Sequence, residues 1–180
     1  MKLGYVSLAG RGATDALIAA VAARLQSQGM RLAGTVQTNL DRPGSHLCDM
    51  DLLVLPGGPV LRINQELGES ATGCRLDPGA LEEAVALSAG RLDGAELVIV
   101  NKFGKHEAEG RGFRPLIGEA MLHGIPVLIG VNGLNLAAFQ EFVGDLADHL
   151  APDADQIVAW CRREAQKAAS PERLRDRQSA

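Results

Sequence analysis

Short apolar runs alternate with longer amphipathic segments along most of this chain. The runs Leu3–Leu8 and Leu32–Gln37 are typical of strands. Glu96–Val100 and Ile125–Val131 are richer in β-branched residues, which indicates strands that are covered on both faces of a sheet. Because helical patterns separate these strands, their order predicts a parallel sheet with right-handed crossovers.

Apolar residues three or four positions apart predict the helices. In chain order these are Thr14–Gln28, Gly79–Ser88, Phe113–His123, Leu136–Leu150 and Ala154–Gln166. Gly29 ends the first helix, and Asp77 and Pro78 supply the N-cap and the first residue of the second. The fourth helix has an interruption at Gly144.

The remaining segments predict a hairpin and two loops. Asp51–Leu55 and Val60–Asn64 flank Pro56-Gly57-Gly58-Pro59, which is a hairpin pattern. Thr38–Leu47 and Glu66–Pro78 are polar or irregular and are expected to be loops.

The fold class that follows is α/β: a three-layer domain with a mainly parallel sheet, P-loop NTPase-like in order, with a small β-hairpin insertion. A single domain is expected over residues 1–167, since 180 residues suffice for one full hydrophobic core. Residues 168–180 are polar and charged, and we expect this tail to be frayed or disordered.

Composition narrows the function classes. A net charge of −4 argues against nucleic acid as a partner, and no apolar run is long enough for a membrane span. The start of the chain lacks a signal-peptide pattern, so a cytoplasmic location is expected. Cys48, Cys74 and Cys161 are an odd number of cysteines, which favours reduced thiols. Cys48 and Cys74 could be soft-metal ligands, a redox pair or incidental thiols; their spacing predicts no metal site.

The turn after the first strand has the frame of a phosphate-binding P-loop. It spans Ser7–Thr14, with Ser7 where the first Gly belongs and Ala13 where the Lys belongs. The residues predicted to contact a ligand are Gly10, Arg11, Gly12 and Thr14. Arg11 could supply the charge that Ala13 cannot. The alternative is an ordinary glycine-containing turn with Thr14 as the helix N-cap.

A second polar segment, Asn101–Arg114, leaves a buried strand at its carboxyl end, where α/β proteins bind ligands. The residues predicted to line an anion pocket are Lys102, Gly104, Lys105, Arg111 and Arg114. Glu107 is the candidate general base or metal ligand, and pairing with nearby Lys or Arg is its alternative. We expect His106 to be exposed. The two polar segments should converge, because parallel strands share one carboxyl edge.

Several segments resemble an uncharacterised bacterial family. They are Asn101–Arg114, Ala120–Val131, Cys48–Leu52 and Gly73–Pro78. Members are often labelled molybdenum ABC-transporter ATP-binding protein or hypothetical protein. The resemblance covers most of residues 1–161 and implies a P-loop fold, while the molybdenum association comes from the family label alone.

A more distant similarity is to the small nucleoside-triphosphatases of thermophiles. Gly104, Lys105 and Glu107 stand at the spacing of a motif in those enzymes. Asn101 and Lys102, however, occupy the positions of an acidic pair that would serve magnesium and the attacking water. This departure and the missing P-loop lysine both remove groups that stabilise a Mg–triphosphate.

The sequence therefore favours a P-loop-like protein with degenerate nucleotide-binding motifs that holds a small anionic ligand. The ligand could be a nucleotide with Mg²⁺ or an oxyanion such as molybdate, and the role an accessory one in molybdenum uptake or metabolism. One alternative is an active nucleoside-triphosphatase in which Arg11 or Lys102 replaces the lysine. Another is an interaction module without a ligand. A homo-oligomer and a partner from a transporter or cofactor pathway both stay open.

Overall fold

One seven-stranded sheet organises the computed structural model, which describes residues 2–41, 48–65 and 76–170. The strands are β1 (Leu3–Val6), β2 (Leu32–Asp41), β3 (Cys48–Val54), β4 (Val60–Arg62), β5 (Leu97–Phe103), β6 (Val127–Val131) and β7 (Ala147–His149). The helices are α1 (Ala13–Ser27), α2 (Pro78–Ala89), α3 (Lys105–Ala108), α4 (Arg114–Leu122), α5 (Leu136–Val143) and α6 (Ala154–Ala168).

The strand order is β4-β3-β2-β5-β6-β1-β7. The pairs β2–β5, β5–β6, β6–β1 and β1–β7 are parallel, whereas β3 runs antiparallel to β2 and to β4. The predicted parallel sheet and the β3–β4 hairpin are therefore both confirmed. All parallel strands end at one edge, so the carboxyl ends of β1, β2, β5 and β6 lie there together.

Helices cover the sheet on both faces. Apolar residues of α1 and α6, among them Ile18, Leu25 and Ile157, pack in a core with Ile99 and Leu128 of the central strands. A second core joins residues of α2, α4 and α5 to the opposite face. Because β5 and β6 alternate between these cores, they are apolar at almost every position. The three-layer, P-loop NTPase-like fold is confirmed.

Several predicted boundaries were wrong, among them the start of β3, which begins at Cys48 rather than Asp51. Strand β2 continues to Asp41 because residues 35–41 pair with β3, so the prediction of a loop was wrong over Thr38–Asp41. The rest of that predicted loop, residues 42–47, lies outside the described part of the chain. Strand β5 continues to Phe103, which is fully buried. Leu136–Leu150 is not one helix: α5 ends before Gly144, a short 3-10 turn follows, and β7 then pairs with β1. Pairing with β7 satisfies backbone groups that β1 would otherwise expose at the sheet edge.

The predicted N-cap of the second helix is confirmed. The Asp77 carboxylate caps α2 by accepting the N–H groups of Gly79 and Ala80 at 2.9 and 3.2 Å. The predicted tail at 168–180 begins where α6 ends, and residues 171–180 lie outside the described part of the chain, as does most of the predicted loop Glu66–Pro78. Within the described residues, the helices are too short or too polar to cross a membrane.

Burial determines the reactivity of one thiol. Cys161 of α6 has no exposed surface, and this burial raises the pKa of its thiol to about 12. Since the thiolate is the reactive form, we expect Cys161 to resist iodoacetamide at pH 8 in the native protein and to react once urea unfolds it. Peptide mass spectrometry measures both rates, and equal labelling in the two states would contradict the packing described here.

Candidate functional site

The first part of the candidate site is the glycine turn between β1 and α1. Gly12 has φ 75° and occupies the N-cap position, and α1 begins at Ala13. No side chain of the described residues caps this helix end. The interpretation of Thr14 as N-cap was wrong: its hydroxyl instead accepts the N–H of Leu8 at 3.0 Å, which folds the turn back onto the helix. The first turn of α1 therefore keeps uncapped N–H groups, which attract negative charge.

A buried carboxylate connects this helix end to the sheet. Asp15 is 3% exposed, and its oxygens accept Asn39 Nδ2 at 2.6 Å and Lys102 Nζ at 3.2 Å. The Asn101 amide, oriented to satisfy its neighbours, donates to Asp15 at 3.1 Å and accepts the N–H of Gln37 at 2.9 Å. Every one of these partners comes from β2 or β5. The Asp15 carboxylate is thus well compensated, as a buried charge must be.

Arg11 lies on the other side of the turn. Its guanidinium donates to the Sγ of Cys48 at 2.9 Å, where β3 begins. Cys48 was expected in a polar loop but is buried in a strand. Cys74 lies outside the described residues. Among the described residues, no group of three or more acidic, His or Cys side chains could hold a metal ion.

A cavity of about 190 Å³ opens at this helix end, and we call it the turn cavity. Its lining residues are Leu8, Gly10, Arg11, Gly12, Thr14, Asp15, Lys102, Val131, Asn132 and Gly133. The structure therefore brings Lys102 beside all of the predicted residues of the first turn. Among the described residues that line it, Arg11 and Lys102 are cationic and Asp15 is the one carboxylate.

The second polar segment is more regular than a loop. Asn101–Phe103 belongs to β5, and Lys105–Ala108 forms the short helix α3, which the sequence pattern did not reveal. Glu107 is 3% exposed and holds the segment closed. One of its oxygens accepts the N–H of Gly104 at 2.9 Å, and the other accepts the N–H of Phe113 at 3.1 Å.

Gly112 allows this closure. Its φ is 59°, and a Cβ at this position would overlap the Glu107 carboxylate. The predicted role of Glu107 as a base or metal ligand stays a prediction, but both of its oxygens already accept backbone N–H groups. Its alternative was pairing with Lys or Arg; no Lys or Arg of the described residues pairs with Glu107, and such pairs form at Glu109 instead.

The other predicted cations do not reach the turn cavity. Arg111 and Lys105 pair with Glu109, the latter at 3.7 Å. A hydrogen bond from Arg111, followed by the charges of Arg111 and Lys105, holds the pKa of Glu109 below its ordinary value. The Arg114 guanidinium lies 4.3 Å from the centre of the Phe142 ring, a cation–π contact. Of the described residues of Asn101–Arg114, Lys102 is thus the one that lines the turn cavity, while Asn101 contacts Asp15 behind it.

A second cavity of about 300 Å³ lies at the same sheet edge, and we call it the ring pocket. Its apolar lining residues are Met50, Leu52, Ile63, Leu76, Leu81, Phe113 and Leu134. Its polar ones include Gln37, Asn101, Lys102, His106 and Asn132, and both Gly104 and Lys105 also border it. His106, which we expected to be exposed, is 9% exposed and lines this pocket.

Sequence reasoning missed Asp15, and it did not assign Asn132 to the site. Asp15 had a usable signal: it precedes Ile18, Ala22 and Leu25 on the buried face of α1, where a lone carboxylate requires partners. Asn132 follows a fully apolar strand directly, and its side chain accepts the N–H of Leu134 at 3.0 Å.

A mainly parallel sheet between two helix layers, with a glycine turn opening α1 at its carboxyl edge, defines a P-loop NTPase-like α/β protein. The chain belongs to the family described as "Protein of unknown function (DUF2478)", whose sequence profile matches residues 3–160. The predicted resemblance to an uncharacterised family with a P-loop-like relationship is confirmed at that level.

A curated relative extends this comparison. The chain is 35% identical over 149 residues to a protein of Bradyrhizobium diazoefficiens named "Molybdenum import ATP-binding protein ModC 2". The aligned region is 82% of this chain but 17% of that relative's length. No solved structure matches the chain.

The contacts of Glu107 generate a stability prediction. Glu107→Gln removes one charge-assisted hydrogen bond and turns an amide N–H₂ toward a backbone donor, so unfolding should become easier by about 2 kcal/mol. Urea denaturation measures this change. Glu109→Gln is the matched control because Glu109 is exposed, and it should shift the midpoint far less. Equal shifts for the two variants would show that Glu107 is not the residue that closes the segment.

Proposed function

We propose that this protein binds a small phosphate-like anion, a nucleotide or an oxyanion, in the turn cavity. The observation that carries the proposal is the meeting of three attractive features at one cavity: the uncapped first turn of α1, the Arg11 guanidinium and the Lys102 ammonium. A helix N-terminus alone favours an anion by roughly 0.3–1 kcal/mol. Side-chain cations at the same cavity add charge-assisted hydrogen bonds, which are the stronger kind.

Asp15 sets the affinity of such a site. Its carboxylate lies 3.2 Å from Lys102 Nζ and offsets part of the positive charge at the cavity. An incoming anion therefore has to compete with Asp15 for this ammonium. Lys102 keeps 29% of its side chain exposed, so it can turn toward a ligand without leaving Asp15 entirely. This arrangement suits reversible, moderate binding rather than tight capture.

Hydrolysis is not part of the proposed function. Ala13 offers no ammonium to bridge phosphates, and Asn101 and Lys102 stand where an acidic pair would serve magnesium. Of the described residues that line the turn cavity, Asp15 is the one carboxylate, and it already accepts from Asn39 and Lys102. This donor set does not fit Mg²⁺, which prefers free carboxylate or water oxygens.

The proposed setting is molybdenum uptake or metabolism, in an accessory role. Its support is the name of the 35% identical relative, a molybdenum import ATP-binding protein, of which this chain matches 17% of the length. Molybdate is a tetrahedral oxyanion like phosphate, so the same helix terminus and cations could hold either one.

A titration tests the anion site. We expect Arg11→Ala and Lys102→Ala each to weaken binding of pyrophosphate, ADP or molybdate by about 1.5–3 kcal/mol, the range for hydrogen bonds to charged groups. Asp15→Asn should strengthen binding by about 10-fold, because it removes the competing negative charge and keeps an acceptor for Asn39. Isothermal calorimetry measures each affinity.

The matched control for this titration is Arg111→Ala. Arg111 pairs with Glu109 and borders neither cavity, so its removal should leave every affinity unchanged. Thermal unfolding of each variant verifies that it is folded. If wild type binds none of the anions, or if Arg111→Ala weakens binding as much as Lys102→Ala, the proposed site is wrong.

A turnover assay tests the absence of hydrolysis. With ATP or GTP and Mg²⁺, phosphate release should stay far below about 1 per second, the low end of ordinary enzyme rates. Turnover at or above that rate that Glu107→Gln abolishes, in a protein still folded by circular dichroism, would establish the nucleoside-triphosphatase alternative instead.

A further inference from the structure

The ring pocket has the composition of a binding site for an organic group. Its volume of about 300 Å³ lies at the lower end of the range for small-molecule sites. Side chains such as Leu52, Ile63, Leu81 and Phe113 make its walls mainly apolar. A few polar groups interrupt these walls, which is the pattern by which pockets bind a ring and fix its orientation.

His106 is a polar group of this pocket that a ligand could contact. It is 9% exposed, and within the described residues its imidazole makes no hydrogen bond. Its backbone is held firmly, since its carbonyl accepts the N–H of Arg111 at 2.9 Å. The imidazole nitrogens are nevertheless not among the fully buried polar atoms without a partner, so they reach the open space of the pocket, where a ligand heteroatom could replace water as their hydrogen-bond partner.

The ring pocket adjoins the turn cavity. Lys102 and Asn132 line both, and the carboxyl ends of β5 and β6 carry these two residues to the same edge. A ligand with an anionic group in the turn cavity would therefore extend past Lys102 into the ring pocket. An inorganic oxyanion would occupy the first cavity and leave the second without a role.

We propose that the ligand is a heteroaromatic ring linked to a phosphate-type group, with the ring in the ring pocket and hydrogen-bonded to His106. This inference rests on the proposed function for the position of the anionic group. A flat ring with polar edges matches the pocket: apolar walls contact its faces, while His106 and the Gln37 amide meet its edge. The substrate class is thus nucleotide-like rather than a bare oxyanion.

Calorimetry with four compounds tests the proposal: pyrophosphate, ribose 5-phosphate, ADP and adenosine. ADP should bind wild type at least about 10-fold more tightly than pyrophosphate does, because its ring adds buried apolar area. His106→Ala should weaken ADP binding about 10-fold and leave pyrophosphate unchanged. His106→Gln, which keeps a donor and an acceptor, should recover part of the loss. The matched control is His123→Ala, at an exposed histidine that borders neither cavity.

The outcomes separate this inference from the proposed function. If pyrophosphate binds in a Lys102-dependent way but ADP binds no better, the ring pocket proposal fails and the anion site stands. If adenosine binds in a His106-dependent way while no anion binds, the ring pocket stands and the anion site fails. His106→Ala that weakens pyrophosphate and ADP equally overturns the ring assignment, and binding of none of the four compounds overturns both proposals.

Discussion

A carboxylate removed from water has to be surrounded by donors, and the arrangement around Asp15 follows from that requirement. The side chain sits in the first turn of α1, yet its partners come from β2 and β5. Removing one partner of such a buried pair usually destabilises a protein by about 3–5 kcal/mol, because the remaining charge has neither solvent nor a counter-charge. A shift of α1 along the sheet would separate the Asp15 carboxylate from these donors and leave its charge uncompensated. The contact therefore fixes the glycine turn relative to the strand ends.

The sheet supplies the frame in which this contact can form. Apolar residues on both faces of β5 and β6 require helices above and below, and parallel strands require crossovers between them. The result places the carboxyl ends of β1, β2, β5 and β6 at one edge, where the two cavities lie. The antiparallel β3 extends this edge, and the Arg11–Cys48 contact connects it to the glycine turn.

Periodicity and turn chemistry predicted most of the elements, because burial and helix capping are local and strong. The capping of α2 by Asp77 and the hairpin around Pro56–Pro59 are examples. What failed depended on partners far along the chain. Asn101 and Lys102 were predicted as loop residues, but Asn101 and Phe103 pair with β6, which places Lys102 between them within the strand. The residues after Gly144 were predicted to be helical, but Ala147–His149 form a strand that pairs with β1. Lys105 and Arg111 were predicted to line the anion site, whereas both form salt bridges with the nearby Glu109.

The Glu107 closure has a consequence for how the segment from Gly104 to Phe113 can respond to a ligand. The buried Glu107 carboxylate accepts two backbone N–H groups, and it fits beside Gly112 because this residue has a positive φ and no Cβ. The conformational entropy of this segment is therefore lost when the protein folds and not when a ligand binds. A ligand that contacts His106 or Lys105 would bind a segment that is already ordered. Little of its binding free energy would therefore be offset by the entropy cost of ordering that segment.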